Sequence, residues 1–284
     1  MVLVRKHALY RLGTMAWWLV VAGSTIAVGT GNAEPYVSPA VVPDGPVGLF
    51  GSIVALGVIG TVALTALETR SWKRTGRRAG LSPEGVGLRG KPDLTGTVDG
   101  RAVTASTYEG EHNSGGEGGT QSVTYTLVEA DLDDPTDDGY VVGTGDVSAY
   151  DDDIPSEIQT QAVDGEHFVL GDVSEADARS VLTPQLEDAL DGPVNAVVVG
   201  NPTDAITSAI PDDVDGYLGS MLVSGMESAL RDKETFAAGA ASHDEKGLLL
   251  NATELEARVE AVAAAADAQA AARADATRTE PSPD

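Results

Sequence analysis

Two stretches near the start of the chain are apolar without interruption. Residues 12–29 read LGTMAWWLVVAGSTIAVG and residues 47–67 read VGLFGSIVALGVIGTVALTAL, with no charge in either. A helix crossing a bilayer needs about 20 apolar residues. The second run meets that length. The first meets it if the helix begins at Ala8 and Arg11 extends its head toward water. Beyond residue 92 the pattern changes to alternation. Leu94–Val98 and Arg101–Tyr108 flank Asp99-Gly100, a pair that favours a two-residue hairpin turn. Ser122–Leu132 alternates again, with Val123, Tyr125 and Leu127 on one face. Tyr140–Val147 and His167–Leu170 are shorter candidate strands.

Further on, the period lengthens. Ser174-Glu175-Ala176-Asp177 opens a short helix through Leu182. Thr183-Pro184 marks a fresh cap with proline at the first helical position, predicting a second helix to Leu190. Val194–Val199 reads as a strand of the fully buried type. Ile206–Ile210 and Val214–Leu230 carry helical spacings. Thr253 and Glu256 form a capping box for an Ala-rich helix to about Ala276, with Leu255, Val259, Val262 and Ala266 on one stripe. That stripe either docks on the domain or forms a thin coiled coil. Strands first and helices late predict an α+β domain rather than a doubly wound sheet. The expected fold is therefore an antiparallel, hairpin-rich sheet with late helices, tethered by an N-terminal transmembrane hairpin of two helices. The expected segments are the membrane hairpin 1–78 (helices about 12–29 and 47–67), a Gly/Pro-rich linker 79–92, the α+β domain 93–250, the Ala-rich helix 251–276 and a disordered tail 277–284.

The charges set an orientation. Arg5, Lys6 and Arg11 precede the first apolar run, and Arg70, Lys73, Arg74, Arg77 and Arg78 follow the second. The connector 30–46 has no Lys or Arg. Basic residues collect on the cytoplasmic side, so the expected protein is a two-span cell-membrane protein with both termini and the acidic domain inside. A rival remains open. A basic start, an apolar stretch and the small-x-small site Gly31-Asn32-Ala33 also describe a signal peptide. Its cleavage leaves one span and the same placement of the domain. Trp72 stands where an interfacial aromatic anchor would stand. Gly48, Gly51, Ala55, Gly57 and Gly60 permit close helix contact, either with the first helix or with a second copy of the chain.

Residues 1–90 hold nine Lys/Arg against four Asp/Glu, and the remainder nine against forty, giving the net charge of −26. Such acidity repels itself at ordinary salt. At molar salt the Debye length falls to about 3 Å and the repulsion is screened. Five lysines, few large aromatics and abundant Ala, Gly and Asp point to a salt-rich cytoplasm; the competing explanation is a domain built for a basic partner. Nucleic acid is disfavoured as a partner, because the domain would repel phosphates. The chain has no cysteine, which rules out disulfides, thiolate metal sites and a cysteine nucleophile.

No residue pattern carries recognisable chemistry, and no catalytic, cofactor-binding or metal-ligating residue is assigned. Gly85-Val-Gly-Leu-Arg-Gly90-Lys91-Pro92 matches part of a phosphate loop. Pro92 replaces the magnesium-binding hydroxyl, and neither a preceding strand nor a following helix is expected. Gly143-Thr-Gly145 reads as a turn. The clusters Asp131/Asp133/Asp134, Asp137/Asp138, Asp151–Asp153 and Asp212/Asp213/Asp215 lack calcium-loop spacing. His7, His112, His167 and His243 are not paired at zinc-site intervals, and the acidic neighbours of His112 and His243 place both on the surface. Asn251-Ala-Thr253 is a glycosylation sequon that a cytoplasmic domain would not expose to the glycosylating machinery.

The paired N-terminal helices, the turn Gly96-Thr-Val-Asp-Gly100-Arg101 and the segment VLGDVSEADARSVLTPQLEDAL resemble an uncharacterised family of haloarchaeal membrane proteins. The resemblance covers much of the chain, is structural rather than chemical, and implies no activity and no site residue. The expected function is a membrane-anchored interaction or scaffold domain whose partners are the bilayer and a membrane protein or second copy of the chain. The alternative is a hydrolase at the inner membrane face using Asp, Glu or His gathered in space. A sensor or transporter accessory rests on the hairpin alone, and with no charge in either span ion conduction is not expected.

Overall fold

The computed structural model describes residues 6–29, 45–85, 91–113, 120–133, 139–145, 161–163, 166–171, 175–201 and 239–279. The chain divides into two compact units, Met1–Arg74 and Thr75–Asp284.

In the first unit, helix α1 runs Lys6–Gly29, and helix α2, Gly45–Arg78, enters from it. Both are longer than the bare apolar runs, because the basic flanks are helical too. One helix, within Gly51–Arg78, is long and apolar enough to cross a membrane, and Gly13–Ile26 is a shorter apolar helix. The small residues of α2 meet α1 at specific points. The Trp17 indole N–H donates to the Gly57 carbonyl at 3.0 Å. A Cβ on Gly60 would collide with the Trp17 ring, and one on Gly57 would press on Val21. Gly51 and Ala55 are exposed instead, so the helix contact lies one to two turns later than the Gly51/Ala55 pair.

In the second unit, α2 ends in a left-handed glycine cap. Gly80 has φ +79°, and the Leu81 N–H donates back to the Gly76 carbonyl at 2.8 Å. Nine described strands follow: β1 Ser82–Glu84, β2 Asp93–Val98, β3 Arg101–Asn113, β4 Thr120–Asp131, β5 Tyr140–Thr144, β6 Gln161–Ala162, β7 His167–Gly171, β8 Ala196–Val199 and β9 Ala240–Lys246. They form one sheet in the order β1-β2-β3-β4-β9-β8-β5-β7-β6, and every pairing is antiparallel. Three described helices come late: α3 Glu175–Val181, α4 Pro184–Leu190 and α5 Ala252–Thr279. The α+β domain with an antiparallel sheet is thus present.

Asp99 and Gly100 both have positive φ, as the two-residue turn between β2 and β3 requires. Thr183 caps α4 as expected, accepting from the Leu186 N–H. Several boundaries differ from expectation. Residues 79–92 are not all linker: Ser82–Glu84 pair with β2, and Leu81 packs beside Gly96, where a Cβ would not fit. β5 ends at Thr144, where Gly145 turns the chain with φ +79°. Residues 277–279 belong to α5 rather than to a tail. The helices expected at 206–210 and 214–230 lie outside the described residues, as do Ser174 and the last five positions.

β9 is the unexpected element. Its sequence AASHDEK is polar and lacks β-branched residues, so nothing local announces a strand. Pairing supplies what propensity does not, since β9 bonds to β4 on one side and β8 on the other. It joins the β1–β4 meander to the β8-β5-β7-β6 half. In that second half successive residues are buried on both faces, as in Val141-Val142 and Val197-Val198, which accounts for their continuous apolar runs. In the first half one face is buried through Leu94, Val103, Ala105, Val128 and Ala130. The other face carries half-exposed Thr, Ser and Tyr. On that open face Tyr108 and Tyr125 are register partners and stack at 5.2 Å, with the Tyr108 hydroxyl donating to Asp244 at 3.0 Å.

Candidate functional site

α5 packs on the sheet beside α3 and α4, contacting β4, β9 and β8. Alternation along β9 sends Ala241, His243 and Glu245 to one face, and Glu245 meets α5 there. Arg258 of α5 donates to the Glu245 carboxylate at 2.9 Å and to the Glu254 carbonyl at 2.8 Å. Both side chains of the pair are shielded, at 5% and 20% exposure, so water does not weaken this pair as it would at the surface. Thr126 completes the row: its hydroxyl donates to the Gly247 carbonyl and accepts from the Leu249 N–H, fixing the bend between β9 and α5.

His243 is buried on this face. Its ring lies 2.7 Å from the Ala196 carbonyl through Nδ1. A carbonyl only accepts, so in the neutral ring the proton sits on Nδ1 and Nε2 carries a lone pair. Nε2 is buried without a hydrogen-bond partner. Burial, and secondarily the Arg258 charge, hold the His243 pKa below its ordinary value against the opposing pull of the Ala196 carbonyl, Asp244 and Glu245. The Tyr140 hydroxyl is another buried group without a partner, and burial raises its pKa despite the opposing charge of Arg273.

A second polar feature lies where the β2–β3 turn, the end of β4 and α5 converge. A depression of about 310 Å³ is lined by Asp99, Arg101, Asp131, Asp133 and Asp267. Arg101 holds it together. It donates to the Asp267 carboxylate, to Asp133 at 2.9 Å and to the Asp131 carbonyl at 3.3 Å. Desolvation alone would lower the Arg101 pKa, but the two carboxylates outweigh it and the net shift is upward. This is a clamp between hairpin and helix, with its cation already occupied.

The histidines do not converge. His167 and His243 share a face but sit on β7 and β9, three strand spacings apart in the sheet order, which is about 14 Å. His112 pairs with Gln121 toward the opposite end of β4 from His243's partner Val128. His7 is in α1. The surface placement expected for His243 is therefore corrected; it is 6% exposed, as is His167, which lies 4.0 Å from Asp191. Among the described residues no group of three His, Asp or Glu side chains could hold a metal ion. The stretch that begins at Gly85 is flanked by the three-residue β1 and by β2, and its residues 86–90 lie outside the described residues. Gly143 lies inside β5, and only Gly145 turns. Of the acidic clusters, Asp131 and Asp133 join Asp267 around Arg101, whereas Asp134, Asp137/Asp138, Asp151–Asp153 and Asp212/Asp213/Asp215 lie outside the described residues. Trp72 is fully buried rather than presented outward as an interfacial anchor. Comparison with protein-family models, curated proteins and solved structures finds no match.

The roles of Asp267, Glu245 and Arg258 were not visible beforehand. Arg101 and Asp267 are 166 positions apart, so no local spacing could join them. Glu245 and Arg258 could have been linked had β9 been recognised as a strand, since the alternation Ala241/His243/Glu245 is intact within the polar run.

Proposed function

We propose that this protein is a membrane-anchored interaction or scaffold protein, with two N-terminal spans holding the α+β domain at the cytoplasmic face. The observation that carries the anchor is the outward placement of large apolar side chains on α2. Leu56, Ile59 and Val62 are 57%, 63% and 62% exposed, and Val54, Val58 and Leu67 are exposed beside them. Water-soluble surfaces rarely display so much contiguous apolar area, and the 21-residue run they belong to matches a hydrocarbon core of about 30 Å. α1 supports a retained first span rather than a cleaved leader. It exposes Met15, Leu19, Val20 and Ile26 on one side, and on the other its Trp17 and Val21 pack on Gly57 and Gly60 of α2. The basic residues after α2's apolar run support the cytoplasmic placement.

The scaffold role draws on a domain whose described polar groups clamp its own elements together instead of converging on a pocket. The hydrolase alternative has no comparable support, since its histidines are strands apart. The absence of cysteine gives a clean test of topology. Single cysteines at Ala40 in the connector and Asp267 in the domain are labelled in intact cells with a membrane-impermeant maleimide. The proposal expects labelling at position 40 alone; labelling at 267 in intact cells would overturn it. Co-purification from native membranes at high salt tests the scaffold role, which fails if no partner is recovered reproducibly.

A further inference from the structure

The five cations that follow the apolar run are Arg70, Lys73, Arg74, Arg77 and Arg78. Their spacing is i, i+3, i+4, i+7 and i+8, which places all five on one face of α2. The opposite face carries Trp72, Thr75 and Gly76, all buried. The cationic face turns outward, with Arg70, Arg74, Arg77 and Arg78 exposed and Lys73 partly so. No ion pair among the described residues engages any of the five, in a chain with 44 Asp and Glu against 18 Lys and Arg. More than a quarter of the chain's cations thus lie on just over two turns of one helix, without carboxylate partners among the described residues.

We infer that this face of α2 binds the headgroups of anionic phospholipids. The inference rests on the membrane anchor proposed above and adds a lipid specificity to it. Position argues for a headgroup over any other phosphate. Arg70 follows Leu67, the end of the apolar run, by about 4.5 Å along the axis, and Arg78 by about 16 Å. The polar layer of a bilayer is about 5–7 Å deep on each side, so Arg70 stands at phosphate depth. Lys73 and Arg74, about 9 and 10.5 Å along, reach back to it with their long side chains, and Arg77 and Arg78 stand farther out, where the surface potential reaches them only at low salt. Residue type argues for direct contact. Four of the five are arginines, whose planar fork binds phosphate through two parallel hydrogen bonds. Such contacts persist at salt concentrations that screen longer-range attraction.

The full chain, solubilised in a nonionic detergent, is equilibrated with mixed micelles of phosphatidylglycerol and phosphatidylcholine, and the lipid retained after gel filtration is identified by native mass spectrometry. The expected result is retention of phosphatidylglycerol over phosphatidylcholine by ten-fold or more, falling at least ten-fold in a R70Q/R74Q/R77Q variant. An R70K/R74K/R77K variant guards against misfolding, because it keeps the charge and retains part of the preference. Equal retention of the two lipids by the wild-type chain, or a preference unchanged in the Gln variant, would overturn the inference. So would loss of the bound lipid to millimolar inorganic phosphate, which would mark a free-phosphate site. A salt-sensitive dimer that disappears in the Gln variant, without lipid preference, would instead identify the face as a contact between copies. A chain extracted from membranes without detergent would refute the anchor itself, and that outcome is separate from all of these.

Discussion

α2 and α5 are the two longest described helices, and both are rich in apolar residues, yet they satisfy them in opposite ways. α2 turns Leu56, Ile59, Val62 and Leu67 outward. α5 turns Leu255, Val259 and Val262 inward and adds Ala261, Ala263, Ala265, Ala266 and Ala268, all at most 2% exposed. Large side chains face out on the first helix and small ones are packed in on the second. The difference reflects the solvent each helix is made for. Outward Leu and Ile suit lipid, where chain length costs nothing. Alanine suits a helix packed on a sheet and against two further helices, where each side chain must fit between backbones. The polar groups obey the same division: α2 finishes in cations with no ion pair among the described residues, whereas Arg258 of α5 is paired and buried.

The largest effect should come from charging the centre of α2. Lysine at Leu56 and Ile59 together costs about 5–7 kcal/mol of insertion at mid-span. The variant should leave the alkali-washed membrane fraction, while Val262→Lys in α5 should unfold the domain and leave it membrane-bound. If the α2 variant remains fully in the pellet, the outward apolar face of α2 is not lipid-facing.

Next comes the packing of α5. Leu255 is fully buried near its start, and Leu255→Ala should cost about 2–5 kcal/mol. Urea titration of the detergent-solubilised chain, followed by tyrosine fluorescence, would show the midpoint falling. A loss under about 1 kcal/mol would mean that α5 is loosely docked and the coiled-coil alternative regains ground.

His243 makes the contact between α5 and β9 sensitive to acid. Its folded pKa is held below 6.5, chiefly by burial. The unfolded chain therefore takes up the proton first. The stability this group contributes is complete above about pH 6.5 and is lost as pH falls through the unfolded value toward the lower folded one. The protonated ring would also carry an N–H on Nε2, which has no hydrogen-bond partner among the described residues, under the repulsion of the Arg258 charge. Because many carboxylates titrate too, the informative quantity is the difference between wild type and His243→Gln. The decline in urea midpoint between pH 7.5 and 5.5 should be steeper in wild type. Parallel declines would show that His243 does not titrate differently on folding.

Much of this was legible where the determinants are local. The Asp99-Gly100 turn, the Thr183-Pro184 start and the unbroken Val run at 197–199 each announce their structure within a few residues. β9 was not legible, because its strand state is imposed by two neighbours and its core face shows only Ala, His and Glu. The same reason hid the buried role of His243. The Arg101 clamp was invisible because its partners come from two parts of the chain, the end of β4 and α5, both distant from Arg101 in sequence. The five cations after the apolar run were legible as a topology signal. That they form one outward face without carboxylate partners among the described residues required the burial of Trp72 and Gly76 on the other side.

The smallest expected effect separates two accounts of how α5 begins. The sequence offers Thr253 with Glu256 as a capping box, but the helix starts at Ala252 and Asn251 is the cap. The Asn251 side-chain carbonyl accepts from the Thr253 N–H at 3.2 Å, and its amide donates to Glu254 at 3.1 Å. A related arrangement is therefore present two residues earlier, with Glu254 accepting from the Asn251 side chain rather than from its backbone N–H. The bend held by Thr126 ends α5's lead-in at Leu250, and the Thr75 hydroxyl donates to the Leu250 carbonyl at 3.1 Å. The helix begins directly after this fixed segment, and Asn251, with an oxygen to accept and a nitrogen to donate, is the residue at that point. Asn251→Ala should cost about 1 kcal/mol. Thr253→Ala, at an exposed first-turn position, should cost less than about 0.5 kcal/mol. The reverse order in urea midpoints would move the cap back to Thr253 and shorten α5 by two residues. Since Asn251 is also the sequon asparagine, a glycan would be carried by the nitrogen that donates to Glu254, whereas the capping oxygen is the other atom of the amide.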